Sequence, residues 1–200
     1  MLKPNRAFVE FSRRLKEARE IFQPWKGTIY RVTTLKYREP RIILLGEGSY
    51  RNGGRWNAIE SFRAVYGSVD DVTALKESKA NAEYANLPYP FRETRLIVAV
   101  DVSLLRVVDL TVSDTLRALD VTEEELHTED WRKVQEQGFE SLTQALGRAV
   151  FEARGEGLLA FSARVAKAIN VAYFPHNKLR GSEVRLCQAQ ELRSRGLERA

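Results

Sequence analysis

The sequence is poor in the residues that make disulfides and metal sites: it has one cysteine, Cys187, and two histidines. A single cysteine cannot form an internal disulfide, so a reducing compartment, the cytoplasm, is expected. His127 and His176 lie far apart, which argues against a His/Cys metal cluster and a Ser-His-Asp triad. No apolar run approaches the ~20 residues that span a bilayer, and the charged N-terminus shows no signal peptide. A metal-free site built from arginine, tyrosine, carboxylate and hydroxyl groups remains.

Composition predicts a globular domain with a strongly uneven charge. Hydrophobic residues make up 44% and charged residues 30% of the 200 residues, and the formal net charge is +5. Both ends of the chain are basic and its middle is acidic. The two basic ends fit one positive surface around an anionic ligand. Nucleic acid also suits such a surface, but zinc-finger spacing, an RNP motif and a helix-turn-helix are all missing from the sequence.

The segment 46–57, GEGSYRNGGRWN, is the most distinctive part of the chain. Its glycines allow backbone to approach a ligand closely, and its arginines offer planar forks for phosphate oxygens. The segment lacks both the Gly-Lys-Ser/Thr of a P-loop and the spacing of a dinucleotide fingerprint. The segment is therefore consistent with two structures: a glycine-rich hairpin around a buried Trp56, or an anion-binding loop.

Apolar periodicity and capping residues predict a mixture of strands and helices. The predicted helices are 5–22, with Asn5 as cap and Pro24 as stop, one opening at Asp70, two short ones from Ser113 and Thr122, 139–153 and a polar tail over 189–200. The predicted strands are 28–34, 41–45 (or a turn), 64–68, 94–102, 105–110, 158–163, 169–174 and 183–187, the last with Cys187 in the core. This irregular order favours α/β or α+β with a partly antiparallel sheet. On pattern alone, Arg31 and Glu77 fit exposed positions.

Several short motifs, taken in order, resemble the RES domain family, NAD-degrading toxins of type II toxin–antitoxin systems. Tyr30-Arg31 resembles the opening strand of the family, and Gly53-Gly-Arg-Trp-Asn57 resembles its glycine-arginine-tryptophan-asparagine signature. Tyr66 follows Arg55 by eleven residues, and Glu77 follows Tyr66 by eleven. Trp131, Thr143-Gln144 with Gly147, and Phe161-Ser-Ala-Arg164 resemble later blocks, with Asn170 and Pro175 nearby. The chain departs from the family at 58–61 and in its leading helix.

The resemblance implies the fold and the activity. The implied fold is a single α+β domain similar to ADP-ribosyltransferases, with a split mixed β-core around an NAD cleft and helices outside. Residues 1–26 are then an N-terminal amphipathic helical extension, 27–188 the RES-like catalytic domain and 189–200 a C-terminal polar tail. The implied reaction is cleavage of the nicotinamide–ribose bond of NAD, with phosphate or water as acceptor. NAD is the substrate, inorganic phosphate is a co-substrate option, and no cofactor or metal is expected.

By resemblance, two sets of residues form the site. The catalytic residues are Arg31, Glu77 and Ser162, and the substrate-binding residues are Arg55, Tyr66, Tyr30, Gly54 and Asn57. The arginines suit the pyrophosphate, Tyr66 the nicotinamide pocket, and Ser162 the nicotinamide amide or the ribose. Glu77 suits the ribose hydroxyls and the positive charge that develops on the ribose, or orientation of the acceptor.

The expected partners are NAD, a cognate helical DNA-binding antitoxin, and a second copy in a homodimer, with neither direct nucleic-acid binding nor a membrane. Two alternatives stay open at this point. The same cleft would serve a mono-ADP-ribosyltransferase that modifies a protein or nucleic acid. A non-catalytic basic binding module is the other, and the acidic middle of the chain counts against it.

Overall fold

A computed structural model describes residues 2–85 and 94–192. The helices in these residues are α1 Ala7–Glu17, α2 Pro40–Ile43, α3 Glu47–Asn52, α4 Asp71–Tyr84, α5 Ser113–Leu119, α6 Glu123–Thr128, α7 Trp131–Glu136 and α8 Leu142–Glu152. The strands are β1 Phe22–Thr34, β2 Val65–Ser68, β3 Arg95–Asp109, β4 Gly157–Phe161, β5 Ile169–Tyr173 and β6 Glu183–Leu192.

These strands form one mixed sheet that turns back on itself. In the described residues, β1 and β6 flank β3 and are antiparallel to it, while the C-terminal end of β3 runs parallel to β4. Strand β4 pairs with β5 and β5 with β2, both antiparallel. The pair Tyr30↔Ser68 then joins β2 to β1. The α+β class, with a mixed β-core and helices outside, is confirmed.

Strand β3 is one continuous strand, whereas the sequence predicted two that break at Ser103-Leu104. Every second residue from Leu96 to Leu104 is buried, as period-2 alternation requires. The stretch contains neither glycine nor proline, and Ser103 pairs with both Lys26 and Glu183. Long pairing on both sides therefore replaces the predicted turn.

The first helix ends earlier than predicted, at Glu17 instead of residue 22, and Phe22 already belongs to β1. A single 3-10 turn, Arg19–Ile21, follows the helix, and from Phe22 to Thr34 backbone pairing with β3 holds the chain as a strand. Pro24 lies inside β1, where the register shifts between Gln23 and Trp25, and a strand irregularity tolerates its missing N–H.

Three further expectations were wrong. Residues 41–45 do not form a strand: Pro40 occupies the first turn of α2, a position that suits its fixed φ. Residues 189–192 are not helical, because β6 pairs with β3 as far as Leu192↔Arg95; the rest of the predicted tail lies outside the described residues. Cys187 is exposed on β6 instead of buried in the core. Helix α7 was not predicted.

Two apolar clusters lie on the two faces of the sheet. One joins α1 and α8 to the sheet through Phe11, Leu15, Leu146 and Val150. The other lies around Ile29, Val98 and Ile43 of α2. Because α1 packs into the same core as α8, it is an integral layer of the described structure. Within the described residues, every helix is too short or too polar to cross a membrane.

Glu156 is the most deeply enclosed carboxylate described and joins three separate backbone segments. It is fully buried. Its Oε2 accepts hydrogen bonds from the backbone N of Leu105 (2.7 Å) and Arg106 (3.0 Å), and its Oε1 from that of Leu179 (2.9 Å). Three N–H donors satisfy the buried charge, so this side chain fixes the corner between β3, β4 and the segment before β6.

We expect Glu156→Gln to lower the free energy of unfolding by roughly 1–3 kcal/mol, because its NH2 group must face a buried N–H donor in either orientation. Urea denaturation followed by circular dichroism measures the change. Glu124→Gln, at an exposed position of α6, is the matched control and should shift the value by less than about 0.5 kcal/mol. Equal stability of the two variants would contradict the assigned role.

Candidate active site

Strand β2 organises the site because alternate residues face opposite sides of the sheet. Tyr66 and Ser68 share one face, whereas Val65 belongs to the apolar cluster on the other. Ser68 pairs with Asn170 of β5 and with Tyr30 of β1, and paired residues of antiparallel strands project to the same side. Tyr30, Tyr66, Ser68 and Asn170 therefore project from one face of the sheet.

Glu77 of α4 bonds to this polar face. Asp70 caps the helix by accepting a hydrogen bond from the backbone N of Thr73 (2.7 Å), as the sequence predicted. Two turns further on, Glu77 Oε1 accepts hydrogen bonds from Ser162 Oγ (2.6 Å) and Asn170 Nδ2 (2.7 Å). Glu77 thus bonds inward to the sheet, unlike the exposed position that the pattern alone suggested.

Ser162 is oriented by the turn that follows β4. Its Oγ accepts hydrogen bonds from the backbone N of Arg164 and of Val165, both at 3.0 Å, so its own proton is committed to Glu77. Asn170 is fixed in the same way, because Ser68 Oγ donates to its Oδ1 (2.7 Å) and leaves its Nδ2 for Glu77. Within the described residues, Glu77 Oε2 accepts no hydrogen bond. The site therefore holds one carboxylate oxygen and leaves the other available.

Arg55 brings a positive charge that no carboxylate of residues 2–85 and 94–192 pairs in a salt bridge. Its Nη1 donates to the carbonyl of Phe161 (2.9 Å) and its Nη2 to that of Leu126 (2.7 Å), and the guanidinium lies 5.0 Å from the centroid of Trp56. Burial lowers the pKa of Arg55 to about 10, against the attraction of Glu77, so the group stays protonated at neutral pH. A fixed guanidinium that two carbonyls orient is suited to binding an anion.

Tyr66 holds the loop that carries Arg55. Its hydroxyl accepts a hydrogen bond from the backbone N of Trp56 (2.9 Å) and donates to Asn57 Oδ1 (2.8 Å). Burial raises the pKa of Tyr66 well above its usual value, so the hydroxyl keeps the proton that it donates. A Cβ on Gly54 would lie 2.5 Å from the Tyr66 hydroxyl oxygen, which explains the glycine at this close approach.

Asn57 is fully buried, and its amide donates to the carbonyls of Ser49 (2.9 Å) and Phe62 (3.0 Å). The resemblance had put Gly54 and Asn57 among the substrate-binding residues. In the structure both are buried, and their contacts are with Tyr66 and with backbone and side-chain groups around the loop that carries Arg55.

Helix α8 backs the same loop. Gln144 is fully buried and its Nε2 donates to the carbonyl of Gly54 (3.1 Å). A Cβ on Gly147 would lie 1.8 Å from the carbonyl oxygen of Trp56, so only glycine allows this helix to touch the loop. Packing thus explains Gln144 and Gly147 of this motif, because they contact Gly54 and Trp56, the two neighbours of Arg55.

Arg31 lies apart from the Glu77 cluster. Because it follows Tyr30 on β1, it projects to the opposite side of the strand, where its Nη1 donates to the carbonyl of Ile43 (2.9 Å). Its buried Nε has no hydrogen-bond partner among the described residues, and burial lowers the pKa of Arg31 to about 10. Of the predicted residues, the structure gathers Arg55, Tyr66, Glu77 and Ser162 around one position, with Tyr30 on the same face, and gives Arg31 a separate environment.

Sequence reasoning gave Ser68 and Asn170 no role in the site. Asn170 is the one amide residue in the mainly apolar strand from Ile169 to Tyr173. Because buried polar groups need hydrogen-bond partners, a polar residue in such a strand could have indicated a role for Asn170. No group of three or more His, Cys, Asp or Glu side chains able to hold a metal ion occurs in residues 2–85 and 94–192.

Comparisons with known proteins agree with one another. The family model for the RES domain matches residues 28–193. The proteins named NAD(+) phosphorylase MbcT from Mycobacterium bovis and Mycobacterium tuberculosis are each 28% identical over 170 residues, covering 84% of this chain and 83% of theirs. A chain of the M. tuberculosis MbcT–MbcA toxin–antitoxin complex matches with a TM-score of 0.75 and 23% identity, covering 94% of this chain and 95% of that one. This structural likeness supports the fold.

We expect Tyr66→Phe to lower the free energy of unfolding by about 1–3 kcal/mol, because the buried N–H of Trp56 and the Oδ1 of Asn57 both lose their partner. Urea denaturation measures the loss. Tyr37→Phe removes a hydroxyl from an exposed tyrosine and should leave stability within about 0.5 kcal/mol of the unchanged protein. If Tyr66→Phe behaves like this control, the hydroxyl does not hold the loop.

Proposed function

Since the chain belongs to the RES domain family, we propose that it breaks the nicotinamide–ribose bond of NAD and transfers the ADP-ribosyl group to inorganic phosphate. The single observation that carries this proposal is the Glu77 carboxylate, with one oxygen fixed by Ser162 and Asn170 and the other without a hydrogen bond from any described residue. The name NAD(+) phosphorylase of the Mycobacterium relatives supports the same reaction. NAD is the substrate, and the proposal needs no cofactor.

In the proposed reaction, the bond between ribose C1″ and the nicotinamide nitrogen breaks and its electron pair leaves with nicotinamide. The nicotinamide of NAD carries a positive charge, so it departs as a neutral molecule without being protonated. A phosphate oxygen then gives an electron pair to C1″, and the products are nicotinamide and ADP-ribose 1″-phosphate. The transition state carries positive charge on the ribose, which a nearby carboxylate stabilises in a site with little water.

Glu77 supplies that carboxylate. Its Oε2 accepts a hydrogen bond from a ribose hydroxyl, while Oε1 stays bonded to Ser162 and Asn170. Both partners are fixed by further hydrogen bonds, so Glu77 needs little reorganisation when the charge develops. Ser162 and Asn170 are accordingly positioning residues, and Tyr30 and Tyr66 line the nicotinamide pocket.

Arg55 serves the anionic part of NAD in this proposal. Arg55 is held by backbone carbonyls, so its charge is free for the diphosphate. Arg31 has a buried Nε without a partner among the described residues. Because Arg31 lies on the opposite side of β1 from Glu77, the proposal assigns the diphosphate to Arg55 and leaves Arg31 outside the contacts with NAD.

We also propose a protein partner of the antitoxin class and a cytoplasmic location, where a helical DNA-binding protein and NAD are both found. The similar solved structure is that of a toxin–antitoxin complex. Within the division into residues 1–26, 27–188 and 189–200, the first segment is the expected docking element, since Val9 projects from α1 with 71% exposure. Homodimer formation remains a separate expectation.

We expect Glu77→Gln to reduce NAD consumption by at least about 100-fold, because glutamine keeps the shape of the side chain and loses the charge that stabilises the transition state. Release of nicotinamide by the purified protein, followed by liquid chromatography, measures the rate. Glu83→Gln, an exposed position on the same helix, should retain full activity. Full activity of Glu77→Gln would remove the mechanism.

Mass analysis of the products, with and without phosphate, separates the proposed reaction from its alternatives. ADP-ribose 1″-phosphate that requires phosphate is the expected result. ADP-ribose alone would make water the acceptor, and ADP-ribose attached to protein or nucleic acid would make the chain a mono-ADP-ribosyltransferase. Unchanged NAD, with salt-dependent nucleic-acid binding, would support a basic binding module instead.

Ser162→Ala should lower kcat by roughly 10- to 100-fold while leaving the KM for NAD nearly unchanged, because the loss is one of carboxylate orientation. Steady-state kinetics over a range of NAD concentrations distinguishes the two parameters. Ser113→Ala, at an exposed position where α5 begins, is the control. A rise in KM with kcat intact would assign Ser162 to substrate binding.

A further inference from the structure

Helix α7 connects the two halves of the site. On one side, Gln135 Nε2 donates to the carbonyl of Asn52 (3.0 Å), which anchors the helix to the glycine-rich loop. On the other side, Tyr84 Oη of α4 donates to Glu136 Oε1 (2.6 Å), and Arg132 Nη2 donates to Asn81 Oδ1. The helix therefore spans from the loop that carries Arg55 to the helix that carries Glu77.

Arg132 is held in a fixed position beside Glu77. Its guanidinium lies 4.7 Å from the ring centroid of Tyr84 and 4.4 Å from that of Trp131. Its hydrogen-bond partner Asn81 follows Glu77 by one helical turn, so both side chains leave the same face of α4. The planar group thus stands about one turn along the helix from the carboxylate that we assign to the reaction.

Arg164 approaches Glu77 from a different element. Its backbone N donates to Ser162 Oγ (3.0 Å), and the same Oγ donates to Glu77 Oε1. The Arg164 side chain is exposed. Arg164 therefore follows Ser162 in the turn after β4, and its charge is close enough to act on that of Arg132 from α7.

Neither guanidinium has a carboxylate partner. Within residues 2–85 and 94–192, no ion pair includes Arg132 or Arg164, and Arg132 uses one of its five N–H donors in the bond to Asn81. Burial lowers the pKa of Arg132, and the like charge of Arg164 lowers it further. Asp130 and Glu77 attract Arg132, but in the described residues neither lies within ion-pair distance of it. Two nearby cations that lack an ion-pair partner favour a bound anion, because the anion replaces water lost on burial and offsets their mutual repulsion.

We propose that Arg132 and Arg164 form the acceptor subsite, which binds inorganic phosphate next to Glu77. This inference rests on the proposed function and adds to it the place where the acceptor binds: phosphorolysis needs phosphate held near ribose C1″, whereas hydrolysis needs no anion site. Two planar forks can hold a phosphate dianion while one of its oxygens stays free to attack. The attacking oxygen supplies the electron pair of the new C–O bond, and nicotinamide leaves with the pair of the old bond.

The variants Arg132→Gln and Arg164→Gln test this assignment. Each should raise the half-saturating concentration of phosphate by roughly tenfold or more, and leave that of NAD within about twofold. The share of ADP-ribose among the products should rise, because water then competes better for C1″. Arg132→Lys keeps the charge and loses the planar fork, so it should recover part of the phosphate affinity. Lys133→Gln removes the same charge from the exposed neighbouring position of α7 and should behave like the unchanged protein.

Isothermal titration calorimetry with inorganic phosphate alone gives a second readout that needs no turnover. The unchanged protein and Lys133→Gln should bind phosphate, and the two Gln variants should bind it at least about tenfold more weakly. Arg164→Gln protects the test against misfolding, because its exposed side chain supports no packing. Unaltered phosphate affinity in both Gln variants, or a selective rise in the KM for NAD, would overturn the subsite. If the unchanged protein leaves NAD intact, the proposed function fails, and the calorimetry still decides whether Arg132 and Arg164 bind phosphate.

Discussion

The hydrogen bonds to a single oxygen of Glu77 are the constraint on which the site depends. They join α4 to the end of β4 through Ser162 and to β5 through Asn170. An ionised carboxylate leaves water at a cost of several kcal/mol unless hydrogen bonds replace its hydration. Here the replacements come from groups that are themselves fixed, so the charge has a defined position before any substrate arrives. The position of α4, the placement of β5 beside β4 and the turn after Phe161 together bring Glu77, Asn170 and Ser162 into contact.

Most residues of the glycine-arginine-tryptophan-asparagine segment work beneath the site. Gly54 makes room for the Tyr66 hydroxyl, Asn57 joins backbone segments, and Gly147 of α8 lets a carbonyl of the loop touch the helix. Arg55 is the member of the segment whose charge reaches the Glu77 cluster. Most of the segment therefore has a packing role, and the proposed chemistry depends on Arg55, whose side chain this packing orients.

Local sequence signals predicted the parts of the fold that local physics decides. The helix starts at Asp70 and Thr122 were readable from the sequence, and the resemblance to the RES family led to Glu77, Arg55 and Ser162 as candidates. Long-range pairing decided the rest: β3 stays whole because two strands flank it, and β6 outweighs the helical preference of residues 189–192. Helix α7 has six residues and no apolar period of its own, so Arg132 became visible only through its contacts with α4.

The outer position of β6 gives the chain a built-in attachment point. Cys187 is the only cysteine of the sequence and is exposed on that strand, two strands away from β4 across β3. The nearby Asp101 carboxylate raises the pKa of the thiol, so maleimide or iodoacetamide coupling proceeds more slowly than at an ordinary thiol. A single dye or spin label can therefore be installed without removing any native residue. Fluorescence anisotropy or electron paramagnetic resonance can then report when another molecule docks on the intact catalytic chain.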